Sequence, residues 1–169
     1  MVLNDGWRAY PSPMPSPTDD RIPNPMRSDL VEAKVCFSAE AFRGCAVLAR
    51  RAIQSACINR GAGKRKKLEL QIDGLYAKGV ITESLKKWAH VVRWIGNDAA
   101  HPDSRAVEKK DAEDIQKLAE EFLNAIYVTP KIAEEQTKKR RKSEESKEPQ
   151  KKPIGGPKAK YRPKVPPAV

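Results

Sequence analysis

The stretch EAFRGCAVLARRAIQSACINRG, residues 40–61, decides the fold. Phe42, Cys45, Ala49, Ala52, Ile53 and Ala56 recur at spacings of three and four, which is one apolar face of an α-helix. Arg43, Arg50, Arg51 and Arg60 take the other sides, and Gly61 and Gly63 punctuate the end. Working upstream, Ser28 followed by Asp29 has the chemistry of a helix start, because the hydroxyl accepts from orphan N–H groups and the acid suits the dipole. A first helix is expected from there to about Phe37, with Ser38 opening the second. Downstream, Leu68, Ile72 and Leu75 make a stripe on a third helix, about Lys66 to Ala77, stopped by Gly79. Thr82 and Glu83 open a fourth, striped by Leu85, Trp88, Val92, Ile95 and Ala99 and ended near His101 by Pro102. A fifth, about Lys109 to Tyr127, carries Ala112, Ile115, Leu118, Ala119, Phe122, Leu123 and Ile126. Nothing between residues 28 and 128 alternates with period two, so the expected class is all-α, a bundle of four to five helices.

The flanks differ in kind. The chain has 169 residues and a formal net charge of +11. Residues 1–28 are net neutral, 29–128 carry +3 and 129–169 carry +8. Six prolines precede residue 26 and six follow residue 148. Residues 1–27 therefore read as an extended proline-rich arm, pinned by Trp7, Tyr10, Ile22 and Met26. Residues 129–169 read as a basic, largely disordered tail; KIAEEQTKKRRKSEESKE, residues 131–148, can extend as an exposed helix although it lacks an apolar face, and the proline-rich remainder from Pro149 cannot offset its ordering entropy. Three domains are expected: 1–27, 28–128 and 129–169. No apolar run approaches the roughly 20 residues of a membrane span, and no export signal is visible. A cytoplasmic protein with no membrane partner is expected. Cys36, Cys45 and Cys57 have no paired spacing and read as buried reduced thiols.

The chemistry concentrates in HVVRWIGNDAAHPD, residues 90–103. Arg93, Asn97 and His101 stand at i, i+4 and i+8, on one helix face, while Val92 and Ile95 point to the core. The plain reading is that Asn97, Asp98 and His101 cap backbone groups near the helix end. His90 has no flanking ligand at metal spacing, and GAGKRKK (61–67) lacks the order of a phosphate loop, so neither a metal nor a cofactor is expected. The second feature is cationic. Lys138, Lys139, Arg140, Arg141 and Lys142, with Lys64, Arg65, Lys66, Lys67, Arg50 and Arg51 in the helical part, form a polycation of the kind that binds nucleic acid by counterion release.

Three stretches carry a family resemblance: EAKVCFSAEAFRGCAVLARRAIQ (32–54), LQIDGLYAKGVITESLKKWAHVVRWIGNDAAHP (70–102) and VEKKDAEDIQKLAEEFLNAIY (107–127). Together, with Tyr10–Pro11 and IPNP (22–25) before them, they resemble the bacterial "domain of unknown function 4145" family over about residues 28–128. The most specific signals are ARRAI (49–53), GNDAAH (96–101) and DAED (111–114). The resemblance implies a HEPN-like helical fold, a homodimer through the second and fourth helices, and a setting in a phage, a mobile element or a bacterial defence system. HEPN ribonucleases are metal-independent and use an Arg, then a polar residue, then a His four to six positions on. Asn97 and His101 match the last two, but Gly96 stands where the Arg belongs, Arg93 lies a turn too early, and Gln54 replaces a commonly acidic residue. The expectation is thus a non-catalytic module that binds nucleic acid or a protein partner. The alternatives are a ribonuclease or toxin working through Arg93, Asn97 and His101, and a phage-encoded inhibitor or scaffold acting on a host protein complex.

Overall fold

The computed structural model describes residues 16–101 and 105–145. Residues 16–135 and 136–145 belong to two separate units. In the first, α1 spans Met26–Ser38, α2 Phe42–Asn59, α3 Leu68–Ala77, α4 Glu83–Ala100 and α5 Lys109–Leu123, followed by a π-helical turn, Asn124–Val128; α6, Thr129–Glu145, begins in the first unit, and its residues 136–145 belong to the second. There is no strand among the described residues, and the all-α bundle expected from the sequence is what forms. The central element is α2, which packs on α1, α3, α4 and α5.

That centrality follows from the small residues of α2. Ala46, Ala49, Ala52, Ile53, Ala56 and Cys57 are all fully buried. Four alanines let neighbouring helix backbones approach, while Leu30, Ile72, Leu75, Ile115, Phe122 and Leu123 supply the volume between them. A second cluster, Ala33, Cys45 and Ala112, brings α1, α2 and α5 into close contact under Phe37 and Phe42.

Local sequence chemistry sets most boundaries. Thr82 caps α4, its Oγ1 accepting from the Leu85 N–H at 3.3 Å. Gly61 (φ 91°) and Gly79 (φ 69°) end α2 and α3 in the left-handed region that suits glycine. Glu108 and Asp111 form a reciprocal capping box at the start of α5.

Other boundaries correct the sequence reading. Helix α1 begins at Met26, so Ser28 lies inside its first turn rather than at the cap, which is Pro25. Asp29 is buried instead, facing Arg51 of α2 with Nε–Oδ2 at 3.4 Å, and burial pushes its carboxyl above the usual range against the pull of Arg51. Helix α2 starts four residues after Ser38, because Glu40 takes a left-handed φ of 61° and breaks the run. Trp88 is 36% exposed rather than core, since Leu85, Ala89 and Val92 already fill that flank of α4. The fifth helix stops at Leu123, and the π-helical turn buries Ile126, Tyr127 and Val128 in succession. Tyr127 donates to Asn59 Oδ1 at 2.8 Å, and Arg60 donates to the Ile126 carbonyl and lies over the Tyr127 ring at 4.5 Å. Residues 129–145, the part of the tail whose sequence allows an exposed helix, are helical. The tail beyond 145, and Trp7 and Tyr10 of the arm, lie outside the described residues. Within the arm, Ile22 is buried, and so is Met26, which the first turn of α1 takes up.

Cys45 and Cys57 are fully buried thiols, each pushed up to about 12 by burial. A thiol reagent at about pH 8 labels at most Cys36 in the folded chain and all three after unfolding; rapid labelling of Cys57 in the native state contradicts this packing. The linkage has a definite sign. Unfolded thiols titrate near 9.0 and these two near 12, so their stabilising contribution is complete below pH 9 and is lost as pH rises towards 12.

Candidate functional site: a guanidinium held by amides

Helices α2 and α4 touch where a glycine lets them. A Cβ built on Gly96 would lie 2.5 Å from Arg50 Cβ, 2.8 Å from Arg50 Cδ and 3.0 Å from the Ala46 carbonyl oxygen. The stem of Arg50 thus occupies the space that any side chain at position 96 would need. With the stem fixed there, the Arg50 Nε donates to Asn97 Oδ1 at 2.7 Å, and Nη1 reaches Gln54 Oε1 at 3.5 Å, one turn along α2. Both partners are neutral amides. Among the described residues no carboxylate stands within ion-pair distance of Arg50.

A second cation faces the same place. Arg93, one turn before Asn97 on α4, is the charge whose repulsion, after burial, lowers the pKa of Arg50. Arg93 has a carboxylate only at 3.9 Å, Glu69 Oε1 of α3, and its buried Nε has no hydrogen-bond partner. Beside it, His90 Nε2 lies 3.1 Å from Asp73 Oδ1, and Lys86 Nζ contacts the same oxygen at 2.9 Å. Hydrogen bonds from Lys86 and His90 hold the Asp73 carboxyl below its usual range. The result is a half-buried pair of guanidinium groups with too little negative charge around it. Of the two, Arg50 is held by dipoles alone, and a partly desolvated guanidinium in that state can donate to an anion.

The structure brings together three of the singled-out residues, Arg50, Asn97 and Arg93, and adds Gln54. It leaves the others apart. His101 ends α4 exposed; its backbone N–H donates to the Asp98 carbonyl at 3.2 Å, and its side chain takes no part in the hydrogen bonding around Arg50. Arg51, although next to Arg50, is turned to Asp29 of α1. Lys64, Arg65, Lys66 and Lys67 stand exposed in the α2–α3 loop, which Gln71 orders by donating to the Gly63 carbonyl at 2.9 Å. In the second unit, Lys138, Lys139, Arg140, Arg141 and Lys142 are exposed helical residues, with Arg140 paired to Glu144 at 3.0 Å. Sequence reasoning missed the link from Arg50 to Asn97. Its signal was Gly96, a glycine inside a strong helix, which marks a close approach of another element.

Among the described residues, no group of three or more His, Cys, Asp or Glu is placed to hold a metal ion, and no helix is long and apolar enough to cross a membrane.

The family described as Domain of unknown function (DUF4145) matches residues 31–145. The chain belongs to this family, and the match runs through α6, beyond the end expected from the sequence. Searches of curated proteins and of solved structures returned no match.

Proposed function

We propose that this chain is a binding module for nucleic acid, with the α2–α4 site seating one backbone phosphate and the cationic residues 138–142 adding charge attraction. The observation that carries this reading is Arg50, a half-buried guanidinium with only amide partners and a second arginine beside it. A phosphate oxygen supplies the missing acceptor to Arg50 and Arg93 together. The HEPN-like character of the bundle, a homodimer through α2 and α4, and a phage, mobile-element or defence setting belong to the same proposal. They are supported by the motif resemblance around GNDAAH and ARRAI.

Arg50→Met tests it, because methionine keeps an apolar stem over Gly96 and removes only the charge. Losing charge-assisted hydrogen bonds worth about 1.5 kcal/mol weakens binding to a generic RNA or DNA at low salt by roughly tenfold, and the slope of log K against log salt flattens by about one unit. No binding by the wild type at low salt, or equal binding by the variant, removes the reading.

One observation favours a second reading. The ribonuclease pattern lacks an arginine at position 96, yet Arg50 lies across Gly96 and hydrogen-bonds Asn97, so a guanidinium stands at that point from another helix. RNA cleavage that survives a chelator and disappears in both Arg50→Met and His101→Ala identifies an enzyme; cleavage unaffected by these variants comes from a contaminant.

A further inference from the structure

We propose that the α4 site takes single-stranded rather than duplex nucleic acid, with one unpaired base stacked on the indole of Trp94. This inference rests on the phosphate reading of Arg50 and Arg93 and adds the recognition of a base.

Trp94 is 54% exposed, more than any other Trp, Tyr or Phe among the described residues. It sits three residues before Asn97, so both lie on the same side of α4. An isolated exposed tryptophan needs no explanation. This one has two features that set it apart. First, its ring is braced. The His90 ring stacks at 6.0 Å between centroids with planes 28° apart, and His90 is itself held by Asp73. The Arg93 guanidinium lies 5.5 Å from the indole centroid. A ring fixed by its neighbours loses little freedom when a ligand stacks on it. Secondly, the cation that braces the ring is the one beside Arg50. A planar π-surface therefore adjoins the point where charge is missing, which is the pairing of groups that a nucleotide presents.

Charge selects the occupant. Of the acids near this face, Glu69 and Asp73 are already engaged, by Arg93 and by Lys86 and His90, while Asp98, one turn after Trp94, is exposed. Arg50 has none. An apolar protein partner would leave Arg50 buried against it without an anion; a strand brings a phosphate with each base. A duplex keeps its bases stacked within the helix, so it can use the arginines and not the indole.

The test uses the full chain, a labelled mixed-sequence RNA strand of about 12 nucleotides, its duplex, and the same strand with abasic sites. Trp94→Leu removes the ring and keeps an apolar surface residue; Trp94→Phe keeps a smaller ring. Trp94→Leu lowers affinity for the strand about tenfold, leaves duplex affinity unchanged, and Trp94→Phe falls between. The abasic strand binds wild type no better than the intact strand binds Trp94→Leu. If Trp94→Leu binds the strand as wild type does while Arg50→Met is weakened, stacking is overturned and the phosphate reading stands. If no nucleic acid binds at low salt, both fall. A wild-type dimer that becomes monomeric in Trp94→Leu, with strand binding unchanged, assigns the ring to a protein interface and also overturns the proposal.

Discussion

Replacing Glu120 with alanine lowers the unfolding free energy by about 3 kcal/mol, among the largest losses available to a single substitution in this bundle. The reason is Lys34, an ammonium only 1% exposed in the middle of α1. Its Nζ donates to Glu120 Oε1 of α5 at 2.7 Å and to the Ser16 carbonyl and hydroxyl at 3.2 and 3.3 Å. Removing the carboxylate leaves a buried cation with two neutral acceptors, and desolvation is then uncompensated. The reverse substitution is milder. Glu120 keeps 27% of its side chain exposed, so after Lys34→Met water still solvates the carboxylate while the methionine fills the space of the lysine stem. The double variant recovers most of the loss, because with the ammonium replaced by a methionine no buried charge is left without its partner. Urea titration of the two single variants and the double variant measures all three. Equal costs for the single variants contradict the asymmetry of burial.

Gly96→Ala is destabilising by about 2 kcal/mol, although alanine is the better helix former by about 1 kcal/mol. The new methyl meets Arg50 Cβ at 2.5 Å and the Ala46 carbonyl at 3.0 Å, and neither is the free end of a flexible chain. Helices α2 and α4 must separate, or Arg50 must leave Asn97. The substitution therefore also weakens anion binding, and the two effects are read by urea denaturation and by salt-titrated binding. Gly96→Arg, which completes the ribonuclease spacing on paper, costs more than the alanine. A stable, fully helical Gly96→Ala protein with undiminished binding contradicts the packing described for these two helices.

These two positions show what a one-dimensional reading can and cannot find. The apolar stripe of α2 was legible because a period of three and four has only one structural meaning at that length, and Thr82, Gly61, Gly79 and Pro102 marked ends through local backbone chemistry. Lys34 was not legible. Its partners lie 18 and 86 residues away, and nothing in EAKV distinguishes a buried lysine from a solvated one. The start of α1 was misplaced for a related reason. Ser28 and Asp29 have capping chemistry, but burial of Met26 and Asp29 against the rest of the bundle outweighed it. The candidate site was half legible. The Arg93–Asn97 spacing gave one helix face; Arg50 joins it across 47 residues of chain through a contact that only Gly96 permits. The π-helical turn had no sequence signal, since Ile126, Tyr127 and Val128 read as an ordinary apolar continuation.

The amide clasp on Arg50 has a consequence for control. Neither Asn97 nor Gln54 can gain or lose a proton, and an arginine stays charged across the range in which folded proteins work. The anchor therefore carries no acidity sensor of its own. Under the proposed phosphate reading, occupancy of this anchor is expected to follow ionic strength and competing anions, and to stay level through the neutral range where a histidine-based anchor would switch.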